Sequence, residues 1–74
     1  MDNSQAKQFG DKLTAVFEVY GKDAPSKNVK TMWWGSLANF DLPVVISALG
    51  LHVNRCEYFP KPADILKIIS SMDG

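Results

Sequence analysis

His52 and Cys56 are the only histidine and the only cysteine in the chain, and they stand four residues apart. On a continuous helix that spacing sets an imidazole and a thiol on one face, the minimum for a base and its nucleophile. Thiol activation also needs a third group that orients the imidazole, and no residue in sequence register supplies one. Asn54 and Arg55 read as the end of the helix that would carry the pair. His52 is therefore expected at the edge of the core, satisfied by a hydrogen bond or by water, and Cys56 as a small buried apolar group. Adding Glu57 or Asp64 does not complete a metal site, because structural zinc takes four ligands, commonly from paired Cys or His motifs. No glycine-rich loop follows a strand, so nothing here would cradle a nucleotide phosphate. The expectation is a nonenzymatic protein with no cofactor and no metal.

Lys27, Lys30, Trp33 and Trp34 form the one interleaving of basic and aromatic residues. An exposed tryptophan beside two lysines could stack a base and hold a phosphate, which makes weak single-stranded nucleic-acid binding an alternative reading. Against it, eight Lys plus Arg balance eight Asp plus Glu, so no global basic field draws in a polyanion. A helix-turn-helix reader is disfavoured as well: the helix after Asn39-Phe40 would have to read bases and is apolar there. Adjacent residues on a helix point about 100° apart, so Trp33 and Trp34 cannot both enter one small core. Trp33, in register with Val29 and Leu37, is read as the core member, and Trp34 as the surface member; a shift of one position would exchange them. Tyr58 and Phe59, in the turn before the last helix, either extend that aromatic surface or, for Phe59, plug the bottom of the bundle. The partner-binding set is thus Lys27, Lys30, Trp34, Tyr58 and Phe59, since large aromatics with few rotors are favoured at protein–protein hot spots.

Four helices must position these groups. Ala6, Phe9, Leu13, Val16, Phe17 and Tyr20 recur at spacings of three and four, predicting a helix from about Ser4 to Tyr20 with Gly21 as its stop. Gly10 weakens that helix by roughly 0.5–1 kcal/mol relative to alanine and would allow another helix to approach closely. After the Lys22-Asp23-Ala24-Pro25 turn, Ser26 is the N-cap of a second helix that carries Val29, Met32, Trp33 and Leu37 inward and ends near Ala38 or Asn39. Asp41 caps a third, about Leu42 to Asn54, with Pro43 tolerated in its first turn and Phe40 stapling to Val45. Apolar nearly all round, this helix is expected to be central. Phe59-Pro60-Lys61-Pro62 announces the fourth, whose buried stripe is Ile65, Ile68, Ile69 and Met72. The predicted fold is all-α, a compact single-domain bundle of about four short helices over residues 1–74.

The totals agree with this reading. The chain has 74 residues, 46% hydrophobic and 22% charged, which suits one folded domain and not a disordered segment. A lone cysteine allows no intramolecular disulfide, and no stretch approaches the ~20 apolar residues of a membrane span. The N-terminus lacks a signal-peptide pattern, so a cytoplasmic location is expected.

The order Trp34-x-x-Leu37, Asp41-Leu42, Val45-x-x-Ala48-Leu49-x-x-His52 and Phe59-Pro60-x-Pro62-Ala63-Asp64-Ile65 resembles the small helical N-terminal domains of phage replicative-helicase loaders and loader-inhibitors. The resemblance spans about Tyr20 to Ile69. It implies a phage- or prophage-type DNA-replication accessory protein that binds a replication protein, either the replicative helicase or the initiator, as a loader-like adaptor or an inhibitor. A small phage-type inhibitor of another host machine would use the same kind of surface. Loaders of this type carry a further C-terminal segment that engages the helicase, whereas this sequence stops at Asp73-Gly74; the resemblance therefore favours docking or inhibition over loading.

Overall fold

Each of the four periodic stretches becomes a helix: α1 (Ala6–Val19), α2 (Lys27–Leu37), α3 (Leu42–Arg55) and α4 (Pro62–Met72), with a 3-10 turn, Asn3–Gln5, leading into α1. A computed structural model describes residues 1–72; Asp73 and Gly74, where the sequence stops, lie outside the described residues. The protein is an all-α bundle, as the periodicity predicts.

The first helix begins later than Ser4. Asp2 accepts from the Ser4 N–H while Gln5 reaches back to the Asp2 N–H, a capping box that closes the tighter 3-10 turn before α1 starts. Phe9, Leu13, Val16 and Phe17 are the buried face of α1, and Ala6 is exposed. At the other end Gly21 adopts φ +72°, and the N–H groups of Gly21 and Lys22 donate to the carbonyls of Glu18 and Phe17, each at 2.9 Å. This is the Schellman pattern, whose left-handed position glycine occupies without a steric penalty.

Ser26 caps α2 as expected, its hydroxyl accepting from the Val29 N–H at 3.2 Å. Trp33 and Leu37 point into the core, but Val29 and Met32 do not: Met32 is 73% exposed. Among the described residues no further helix covers the outer side of α2, so only a narrow stripe is buried. Met72, expected in the buried stripe of α4, is likewise 42% exposed, whereas Ile65 and Ile69 are enclosed.

The chain bends by 111° between α2 and α3. At this corner the Met1 ammonium donates to the carbonyls of Ala38 and Phe40 at 2.6 and 2.7 Å, satisfying acceptors that the end of α2 leaves open. Asp41 occupies the N-cap position of α3 without making the side-chain bond expected of it. α3 is central: it packs against both α1 and α4 and buries Leu42, Val45, Ala48, Leu49 and His52. Before α4, Pro60 is buried and the Asp64 carboxylate accepts from the Lys61 N–H at 2.9 Å, so the proline-acid spacing serves as a helix start. No single helix among the described residues is long and apolar enough to cross a membrane.

Candidate functional site

The two residues with the best chemical credentials are employed in the α3–α4 connection. His52 is 1% exposed, and its Nε2 lies 3.1 Å from the Tyr58 carbonyl. A carbonyl only accepts, so Nε2 carries the hydrogen and donates it. The Tyr20 hydroxyl, reaching across from the end of α1, donates to the Cys56 carbonyl at 2.9 Å and lies 3.5 Å from the His52 carbonyl. The ring of His52 meets Tyr58 edge-on at 5.0 Å. Burial raises the Tyr20 phenol above its ordinary range, with Cys56 adding to the effect. Hydrogen bonding with the Cys56 side chain, then its charge, raises Tyr58. Cys56 is half-buried, not enclosed as the sequence reading expects. These contacts fasten three segments together. Among the described residues no group of three or more His, Cys, Asp or Glu side chains is arranged to hold a metal ion.

The five residues read as one partner surface fall into two places. Phe59 is half-buried, edge-on to Phe17 at 4.7 Å and to Tyr20 at 5.9 Å, with the Lys22 ammonium 5.6 Å from its ring centre. It plugs the end of the bundle. Tyr58 beside it is 57% exposed. Trp34 instead packs edge-on against Phe9, ring centres 5.7 Å apart. Phe9 and Phe17 are eight residues apart on α1, a rise of about 12 Å, so the Trp34 and Phe59 neighbourhoods are separated by two turns of helix.

Around Trp34 the structure builds something the sequence does not display. Trp34, Lys27 and Lys30 from α2 face Ala6, Phe9 and Gly10 from α1 across an open cavity of about 290 Å³. Its position follows from the register of α2: once Trp33 turns inward against Phe17, at 6.5 Å and 68°, the residues one step around the helix face α1. The lysines are on the exposed rim, Trp34 is half-buried, and Phe9 forms part of the wall at 2% exposure. None of the lining side chains is acidic. The contribution of α1 is the part that sequence reasoning missed. Its available signal was Gly10, a glycine in a helix interior with no turn to make.

No protein-family model, curated protein or solved structure matches this chain.

Proposed function

We propose that this chain is a noncatalytic, phage- or prophage-type replication accessory module that docks on a replication protein, the replicative helicase or the initiator, through the groove between α1 and α2. The observation that carries the reading is the position of Trp34, a large aromatic held half-buried against Phe9 at the wall of an open groove and flanked by Lys27 and Lys30. Such a ring is already packed against Phe9 in the free protein and has few rotors to freeze, so a partner gains contact area at little entropic cost. His52, the group best suited to acid–base chemistry, spends its Nε2 hydrogen on the Tyr58 carbonyl, consistent with a binding role. The class of partner rests on the resemblance of the Trp34-x-x-Leu37 and Phe59-Pro60-x-Pro62-Ala63-Asp64-Ile65 patterns to helicase-loader domains. The C-terminal aromatic Tyr58 is a second, separate surface and is not required by this reading.

The test is equilibrium binding of the purified chain to purified replicative helicase and to purified initiator. The expected result is saturable binding to one of them that Trp34→Ala weakens by about 30-fold or more, the equivalent of ~2 kcal/mol, with the helical spectrum retained. Binding to neither, or binding indifferent to Trp34→Ala, refutes the proposal.

A further inference from the structure

Gly10 sits in the middle of α1, where glycine costs stability, and neither backbone conformation nor packing requires it there. Its φ is not positive, and a Cβ built on it would come no closer than 4.0 Å to any neighbour, the nearest atoms being Cδ and Nζ of Lys30. That is ordinary van der Waals spacing against the end of a flexible side chain. What the missing methyl does is keep this wall of the cavity low: Gly10 lines it together with Trp34 and Phe9, and only the flexible end of Lys30, free to swing aside, lies over it. Beside its apolar residues the lining holds Asn3, Thr31 and two lysines, and no acid. At about 290 Å³ the cavity is at the lower end of the ~300–1,000 Å³ range of small-molecule pockets, a size suited to one side chain and its neighbours.

We propose that this groove receives an acidic peptide segment of a partner protein, which inserts one apolar side chain between Gly10 and Trp34 while flanking carboxylates meet Lys27 and Lys30. The proposal rests on the docking function above and specifies the chemistry of the partner at the same site. An acidic segment fits better than a nucleic-acid strand for two reasons. Formal net charge is +0, so beyond these two lysines no field attracts a phosphate backbone. And Trp34 is held edge-on to Phe9 at 69° inside the groove, placed to wall a pocket for a side chain.

The experiment uses three probes on the 74-residue chain: a synthetic peptide with one phenylalanine flanked by glutamates, the same peptide with lysines for glutamates, and an oligothymidylate of similar length. Binding is followed by amide chemical shifts in two-dimensional NMR, which also reports that each variant is folded. The expected result is that the acidic peptide binds about tenfold or more tightly than the lysine peptide, shifts resonances of Gly10 and Trp34, and weakens with added salt. Gly10→Met, which fills the floor and leaves both lysines, should lose the binding. The double variant Lys27→Glu/Lys30→Glu should reverse the preference between the two peptides. Equal binding of both peptides, tighter binding of the oligothymidylate, or acidic-peptide binding untouched by both variants overturns the proposal. If the acidic peptide fails while helicase or initiator still binds through Trp34, the docking function stands and the acidic chemistry is refuted. If the peptide behaves as expected and neither replication protein binds, the groove chemistry stands and the partner class falls.

Discussion

Trp33 and Trp34 are neighbours in sequence with different environments, so truncating each to alanine should have unequal consequences. Trp33 is 4% exposed, edge-on to Phe17 in the core, and its removal leaves an enclosed void. Buried Trp→Ala changes cost about 3–5 kcal/mol, an amount that includes the cavity left behind. A domain of 74 residues has a total stability of roughly 4–11 kcal/mol at ~0.05–0.15 kcal/mol per residue. Trp33→Ala therefore removes a large share of it, and the thermal midpoint should fall by at least about 12 °C, at ~4–8 °C per kcal/mol. Trp34 borders an open groove, so its truncation enlarges a space that water can enter and forfeits one edge contact with Phe9. About 1–2 kcal/mol is the expected loss, the transfer term for a half-buried ring with no sealed cavity. Urea unfolding followed by far-ultraviolet circular dichroism measures both variants. Fluorescence gives an independent reading: Trp34→Phe should leave the blue-shifted emission of buried Trp33, and Trp33→Phe the redder emission of Trp34. Equal destabilisation by the two alanine changes, or the larger loss at Trp34, would show that the inward register of α2 is wrong.

Gly10→Ala should stabilise the chain by about 0.5–1 kcal/mol, because the helix interior favours alanine and the added methyl meets only the Lys30 stem at 4.0 Å; a lowered thermal midpoint would mean that the site cannot take a Cβ. Asp64→Ala should cost about 0.5–1.5 kcal/mol by urea titration, since it removes the side-chain acceptor that caps the exposed Lys61 N–H at the start of α4, and Asp64→Asn should recover most of that loss by keeping an acceptor. Tyr20, with Tyr58 raised in the same direction, contributes to the alkaline limb of stability. Its folded-state value is raised by burial, so its contribution is complete below the unfolded value near 10 and is lost as pH rises through the raised folded value. Tyr20→Phe should flatten that limb, and an unchanged slope of stability against pH above about 10 would refute the assignment.

Where a helix starts and stops was legible because local chemistry decides it. Ser26, Gly21 and Pro62 act within a turn of their own positions, and each performs the role its residue type announces. Which face is buried depends on what lies opposite. Val29 and Met32 share helical spacing with Leu37, yet among the described residues no helix lies over the side of α2 that carries them, and they stay exposed. Asp41 makes no side-chain cap bond, and Pro43 at the second helical position removes one of the two N–H groups that such a cap uses; the Met1 ammonium that ties down the same corner does so across 37 and 39 residues of sequence, which no local pattern could reveal.

The same distinction explains the site. Of the residues that carry the resemblance to loader domains, Leu37, Leu42, Val45, Ala48, Leu49 and Ile65 are core. His52 bonds the Tyr58 carbonyl, Pro60 is buried, and Asp64 closes the first turn of α4. Phe59 packs on Phe17 and Tyr20. Each of these positions has a packing or hydrogen-bonding reason to be what it is, so a pattern built from them carries architecture whatever the protein binds. Trp34 is different. Its neighbour Trp33 already fills the core at that level of α2, so Trp34 is left half-buried, covering Phe9 from the open side. A large ring half-exposed at an open groove stands opposite a helix glycine that forgoes stability and that packing does not require. Their coincidence at one place, flanked by Lys27 and Lys30, is the strongest physical reason to assign binding to the α1/α2 groove and not to the aromatic turn at Tyr58, where the exposed ring sits over a connection that the fold itself needs.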